Sequence, residues 1–259
     1  ALPEQPRCPT PIYELALMLD TWLRRQRLND HVHLTFVTGE HQYMQDFGLQ
    51  MHDLALTEFE KRHIDHYSHA PIAEVTPTHA QLVNGAQFRY DLLITFPQQA
   101  ASIRFDSLPT DDSGFISVYD ESRQVKGING VYAVGDASDF PFKMGYLAAS
   151  QAEAAADHLS AQILGHSPQT HFEPTTIVMV DTLDRAAFAR VPLNSSGKSR
   201  YRMGFSPTWS MSKQVLGVYV PWRISAGKPY SSGLPYRGMA FGLKALTGLF
   251  AHPREKIPS

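Results

Sequence analysis

Residues 130–164 constrain the fold more than any other stretch. Gly130, Val131, Tyr132, Ala133, Val134, Gly135 and Asp136 read as a short apolar strand ending in Gly-Asp. Gly145 then opens an alanine-rich helix predicted over Tyr146–Leu164, which Gly165 and Pro168 stop. A helix built from small side chains packs close to a sheet or a ligand, and its amino end offers unpaired N–H groups and a positive dipole end. The glycine at the strand end lets backbone approach a ligand, while the neighbouring carboxylate can cap a sugar hydroxyl.

The residues before this unit follow an α/β rhythm. Leu15, Met18, Leu19, Trp22 and Leu23 recur at helical spacing, and Arg24, Arg25 and Arg27 close the run where cations suit a helix carboxyl end. His31–Thr38 alternates like a strand, and residues 48–64 repeat the helical pattern through Leu49, His52, Leu56, Phe59 and Ile64. Three strands are predicted at Ile72–Val75, Ala80–Val83 and Phe88–Thr95, the last two joined by the hairpin turn Asn84-Gly85. Tyr90–Phe96 reads as a buried strand. The outline is half of a dinucleotide-binding domain that lacks its first strand and glycine-rich turn, since residues 1–11 contain no glycine. Ser113–Val118 reads as a further short strand. After Pro168 come strands at Thr175–Val180, Ala186–Val191 and Ser199–Met203, a helix from Pro207 and an amphipathic stretch from Pro235 to Phe250.

Composition narrows the compartment and the partners. The chain is 43% apolar and 19% charged, which fits a packed core and excludes a disordered tail or a rod. A single cysteine, Cys8, excludes an internal disulfide and a multi-cysteine zinc site, and the amino end lacks the basic-then-apolar order of a secretory signal, so a reducing, cytoplasmic setting is expected. No run of 18 apolar residues is present to span a bilayer. Charge is unevenly spread. Residues 190–259 hold 11 Lys or Arg and one acidic residue, leaving 12 basic and 24 acidic side chains for the rest. A basic end on an acidic body suits an anionic surface or the chain's own acidic half. Met239, Leu243, Leu246 and Phe250 form an apolar stripe flanked by Arg237, Lys244, Arg254 and Lys256, so this stretch is expected to lie on an anionic membrane, the inner face of the cell membrane among the candidates, with core packing as its alternative.

Three segments carry a family resemblance. They are Cys8-Pro9-Thr10-Pro11-Ile12-Tyr13-Glu14, then Ala133-Val134-Gly135-Asp136 with Lys143-Met144-Gly145-Tyr146, and Val178-Met179-Val180-Asp181-Thr182 with Ala186-Ala187-Phe188. The second resembles the second FAD-binding segment of the pyridine nucleotide-disulfide oxidoreductase family, and the set is most similar to the sulfide:quinone oxidoreductases and the related type II NADH dehydrogenases. The resemblance implies an α/β fold: partial doubly wound (Rossmann-like) dinucleotide-binding domains with an α+β carboxyl-terminal lobe. It divides the chain into residues 1–100, a second dinucleotide-binding-like domain; 101–166, a returning part of the FAD-binding domain; and 167–259, a carboxyl-terminal lobe with amphipathic membrane-side or quinone-side helices. It also implies the carboxyl-terminal part of a larger flavoprotein, whose 259 residues alone are expected to bind FAD weakly or not at all.

The same resemblance assigns roles. Asp136 would hold the FAD ribityl chain and Gly135 would let it approach. Gly145 and Tyr146 would aim a helix start at the isoalloxazine, with Lys143 at the pyrimidine edge as a cation. Cys8 matches a redox-active cysteine, whose thiolate near a helix amino terminus is expected to have a lowered pKa. The partner cysteine falls at Val178, a departure from the family pattern. The alternatives are a buried structural thiol for Cys8 and a solvated loop lysine for Lys143. The implied activity passes electrons from a small reductant, sulfide or another sulfur species among the candidates, to a quinone. Two other readings stand beside it: an NAD(P)H:quinone oxidoreductase, and a non-catalytic remnant acting as an interaction protein. Prolines at 3, 6, 9 and 11 remove backbone donors where a pyrophosphate would need them, so NADH is expected to be a poor donor.

Other patterns carry bland readings. His63, His66 and His69 straddle a helix end as a solvated surface rather than a metal site, and Gly197-Lys198-Ser199 lacks the first glycine of a phosphate loop. No nucleic-acid-binding signature is present, and homo-oligomerisation is left open.

Overall fold

The computed structural model describes residues 1–3, 5–193 and 201–228. Helix α1 (Thr10–Gln26), strand β1 (Thr35–Val37), helix α2 (Leu49–Arg62) and strand β2 (Asp65–Tyr67) form the first α/β layer. β1 and β2 pair in parallel, with Thr35 opposite Asp65 and Val37 opposite Tyr67. On the other side of β1, Leu2 forms a parallel bridge to Thr38, and Ala1 exchanges backbone bonds with Ile94 and Phe96 at 2.6 and 3.1 Å. Ala1 and Leu2 therefore lie between β1 and the Ile94–Phe96 run, bonded to both.

The helices keep part of their expected faces on the core, Leu23 in α1 and Leu56, Phe59 and Ile64 at α2, but polar residues share the buried side. α1 buries Ile12, Tyr13, Leu17, Asp20, Thr21 and Leu23, while Leu15 and Trp22 are exposed. α2 buries Met51, Leu54, Ala55, Glu58, Phe59 and Arg62 and leaves Leu49 in solvent. The cause is a buried ion network. Arg62 Nη1 lies 2.8 Å from Asp20 Oδ2, and Arg62 Nε lies 3.0 Å from Glu58 Oε2. Charges buried in pairs are tolerated only when hydrogen-bonded, and this pairing lets polar residues occupy the inner face. Beneath it, the rings of Tyr13, Phe36 and Phe59 pack together, with Phe36 4.6 and 4.8 Å from the other two.

Strands β3 (Ile72–Val75), β4 (His79–Leu82) and β5 (Gln87–Arg89) form an antiparallel sheet. Its hairpin turns at Asn84 and Gly85, where φ is 86° and Asn84 Oδ1 accepts the Ala86 amide. Tyr90–Phe96 is not the buried strand expected. It is largely exposed, with Leu92 76% accessible, and among the described residues its backbone bonds run to Ala1 and, from Tyr90, to Thr78. Residues 113–118 and 131–134 likewise form isolated bridges rather than strands: Ile116 to Ser138, Val118 to Val125 and Gln124 to Tyr132. Left-handed glycines at 130 and 135 confine the second extended run to four residues.

Helix α3 (Gly145–Leu164) ends at Gly165 in the left-handed conformation, as predicted. Strands β6 (Thr175–Asp181), β7 (Ala186–Pro192) and β8 (Tyr201–Ser206) form an antiparallel sheet with Val178 opposite Ala189. Its inner face, Val178, Val180, Ala187, Ala189 and Val191, joins the main core with α1. The opposite face carries Phe188, stacked on Trp209 of helix α4 (Pro207–Ser225) at 4.8 Å. Among the described residues no helix is long and apolar enough to cross a membrane. The amphipathic stretch 235–250 and the Gly197-Lys198-Ser199 sequence lie outside the described residues.

Candidate functional site

The site is built around a turn. Val134 is the last extended residue, and Gly135–Ala137 form a single 3-10 turn. Gly135 has φ of 61°, and a Cβ there would stand 3.0 Å from the Cβ of Ala148, so glycine is required both by conformation and by contact with α3. Gln151, one turn further along α3, accepts the Gly135 amide at 2.7 Å. Ser138 Oγ lies 2.9 Å from the Gly135 carbonyl oxygen and 3.2 Å from Gln151 Oε1. A fully buried guanidinium, Arg123, donates to the same hydroxyl at 3.1 Å while its carbon sits 5.0 Å over the Phe172 ring. This frame holds the Asp136 side chain outward, where it is exposed.

Lys143 reaches into the frame from the loop before α3. Its Nζ donates to the Ser138 carbonyl and lies 3.8 Å from the centre of the Phe115 ring, and its backbone amide donates to the Arg7 carbonyl at 2.9 Å. The side chain is buried, which excludes a solvated loop lysine. Burial pushes its pKa down to about 8; Arg7 adds to that shift, and Asp136, Asp111 and Asp139 oppose it. Arg7 lies over the same ring at 4.4 Å and is held by Ser113 Oγ at 3.3 Å and Asp111 at 3.7 Å.

Cys8 is partly buried two residues before α1. Its thiol is pushed up rather than down, first by burial and then by the charge of Asp136. The helix dipole expected to lower it is outweighed, because a lost hydration shell and a nearby carboxylate both disfavour a thiolate. Val178, at the position of the family's second cysteine, lies in the core between β6 and α1.

The structure thus gathers Cys8, Gly135, Asp136 and Lys143 in one neighbourhood: Asp136 acts on both the thiol and the ammonium. Gly145 and Tyr146 open α3, whose N-cap Met144 is extended and provides no side-chain cap. Gly145 is exposed, with nothing within 4 Å of where a Cβ would stand. Tyr146 also borders a polar cavity of about 310 Å³ with Ser150, Gln169, Thr170, His171 and Arg190. Sequence reasoning missed Arg7, Phe115, Arg123, Ser138 and Gln151. Arg7 neighbours a flagged cysteine, and Gln151 follows Gly145 by less than two helical turns, but nothing in sequence spacing links residues 115 and 123 to either.

The three flagged histidines disperse. His63 is the exposed left-handed C-cap of α2, His66 bonds Tyr43 at 2.8 Å and His69 stacks on His41 at 4.4 Å. Among the described residues no group of three potential ligands could hold a metal.

Elsewhere in the first layer stands a second acidic group, Glu40, just beyond β1. It is fully buried; its Oε2 accepts from Tyr13 at 2.6 Å and Thr38 at 2.9 Å, and its Oε1 has no hydrogen-bond partner among the described residues. Burial pushes its carboxyl up to about 7.

A parallel β1–β2 layer with a further parallel bridge at Leu2, a left-handed Gly-Asp turn and an uncapped small-residue helix define a partial doubly wound α/β fold of the dinucleotide-binding class. In particular, the chain has the fold of a sulfide:quinone oxidoreductase. It matches that enzyme from the hyperthermophilic bacterium Aquifex aeolicus with a TM-score of 0.79 at 18% identity, over 97% of this chain and 62% of the other. This chain therefore spans less than two thirds of the solved chain. A more distant match, to a chain of the Tetrahymena thermophila mitochondrial ATP synthase composite tetramer, has a TM-score of 0.53 at 16% identity, over 72% of this chain and 46% of that one. No family model matches the sequence.

Proposed function

We propose that the chain carries the ribityl and ring side of an FAD site in an oxidoreductase that passes electrons from a small reductant, with a sulfur species as candidate donor, to a quinone. The observation that carries this reading is the Gly135-Asp136 turn: a glycine locked against α3 presents an exposed carboxylate beside a helix start with no side-chain cap. These groups fit a flavin. Asp136 would accept from ribityl hydroxyls, the open face at Gly145 would admit the ring system, and Lys143 would place a positive charge at its pyrimidine edge. Bound flavin would supply the two-electron chemistry, and the protein supplies binding, orientation and electrostatics.

Against NADH as donor stand two features of the first layer. The loop between Leu2 and α1 is proline-rich, with Pro9 as the helix N-cap, so few backbone donors face a pyrophosphate. The acidic residue after the second strand of such a domain would meet a ribose, yet Glu40 is spent inward on Tyr13 and Thr38. The membrane side of the proposal concerns residues 235–250. Co-sedimentation with anionic and neutral vesicles, at low and high salt, tests it.

FAD titration followed by flavin fluorescence quenching tests the cofactor. We expect weak, saturable binding, and Asp136→Ala should weaken it roughly tenfold or more, the cost of a charge-assisted hydrogen bond. Equal affinity of the variant for FAD would overturn the reading. Stopped-flow bleaching of bound flavin by sulfide, with NADH as the comparison, then tests the donor.

A further inference from the structure

Lys143 and Arg7 are neighbours through one ring. The Lys143 ammonium lies 3.8 Å and the Arg7 guanidinium carbon 4.4 Å from the Phe115 centroid, and the Lys143 amide is bonded to the Arg7 carbonyl. We propose that Arg7 is the positioning residue for Lys143: by sharing the Phe115 ring and the backbone bond, it fixes the ammonium on the Ser138 carbonyl and holds a second positive charge beside it. This rests on the reading above insofar as Lys143 is meant to face a flavin.

The electrostatics favour this assignment. Two cations against one aromatic ring gain from the ring and repel each other. Arg7 is itself fixed, by Ser113 at 3.3 Å and Asp111 at 3.7 Å, so its charge stays in place. The charged groups facing Lys143 are Arg7, Asp111, Asp136 and Asp139, three carboxylates against one cation. The ammonium nonetheless sits below its ordinary proton affinity, at about 8, because burial and Arg7 together outweigh them. Lys143 is thereby a cation that can lose its charge within about a unit of neutral pH, which a solvated lysine cannot do.

The test reads Lys143 directly in the whole 259-residue chain. Lysines are reductively methylated with carbon-13, the Lys143 signal is assigned by its loss in Lys143→Gln, and its chemical shift is followed against pH. Removing the charge in Arg7→Met, which keeps most of the apolar stem, should move the midpoint upward. Arg7→Lys, which keeps a charge over the ring, should leave it near the wild-type value. A role in packing alone would move both variants upward, because both would admit water. Equal midpoints in wild type and Arg7→Met, or equal upward shifts in both variants, overturn the proposal. Should Arg7→Met fail to fold, Arg7→Gln provides the same comparison, with circular dichroism as the control. The readout needs no cofactor, so the selective shift together with an FAD affinity unchanged by Asp136→Ala would sink the flavin reading and leave this one standing. In FAD-loaded protein, the flavin midpoint potential should bend with pH at the Lys143 midpoint, and the bend should move with Arg7→Met.

Discussion

Glu40 and Asp136 are two carboxylates that follow extended segments in α/β surroundings, yet their fates are opposite. Glu40 is fully buried against Tyr13 and Thr38, while Asp136 points outward from a turn that Gln151, Ser138 and Arg123 brace from behind. The difference lies in what the flanking backbone permits. After β1, Thr38 and Glu40 fold the acid inward beneath α1, where an aromatic cluster leaves it no water. At residue 135, a left-handed glycine in contact with Ala148 forbids any such collapse. An acid at a strand end becomes a ligand group or a core group according to which side its neighbours have already filled.

Substitutions should separate the two regions. The largest effect is expected at the braced turn. Gly135→Val introduces a β-branched residue at positive φ and a Cβ 3.0 Å from Ala148. It should destabilise the chain by about 2 to 4 kcal/mol in urea unfolding, strain and overpacking together, and abolish flavin quenching. A loss below about 0.5 kcal/mol would mean that the turn is not held against α3.

At the closed region the sign reverses. Between pH 4.5, the ordinary carboxyl value, and about 7, the folded chain holds a proton on Glu40 that the unfolded chain has released. Stability from this group is therefore complete below 4.5 and is lost as pH rises through about 7. Glu40→Gln should raise stability at pH 8 by about 1 to 2 kcal/mol and have little effect at pH 4. Thermal melts at the two pH values read the difference; a variant destabilised equally at both would show that the carboxyl is charged in the core.

The smallest effect belongs to the coupling between Cys8 and Asp136. Iodoacetamide should alkylate Cys8 slowly at pH 7, and Asp136→Asn should speed the reaction about twofold to fivefold by removing a repelling charge. Rapid labelling of the wild-type thiol at neutral pH would restore the low-pKa cysteine that the sequence suggested.

Local signals were the legible ones. Asn84-Gly85, Gly135-Asp136 and the Gly145–Gly165 limits of α3 were readable because left-handed turns and helix stops depend on residues adjacent in sequence. The buried faces of α1 and α2 were legible only in part, through Leu23, Phe59 and Ile64. Apolar periodicity favours Leu15 and Trp22, but the choice fell to Asp20 and Arg62, 42 positions apart, whose pairing only the fold supplies. Tyr90–Phe96 misled for a related reason: an apolar extended run is a strand only where a ladder exists to receive it. Within the site, Gly135, Asp136 and Lys143 stood out, whereas the brace behind them converges from residues 123, 138 and 151 through contacts that leave no spacing rule.

The ion network has a consequence for how the chain comes apart. Arg62 ties α2 to Asp20 of α1, and Glu58 on the next turn of α2 also lies 3.8 Å from Arg185, in the turn between β6 and β7. With α1 packed on β6 as well, opening either sheet strands a buried charge belonging to the other. The first layer and the β6–β7–β8 sheet should consequently form a single cooperative unit, so that amides of β7 exchange with deuterium through the same global opening as those of α1, while the β3–β4–β5 hairpin sheet frays ahead of both.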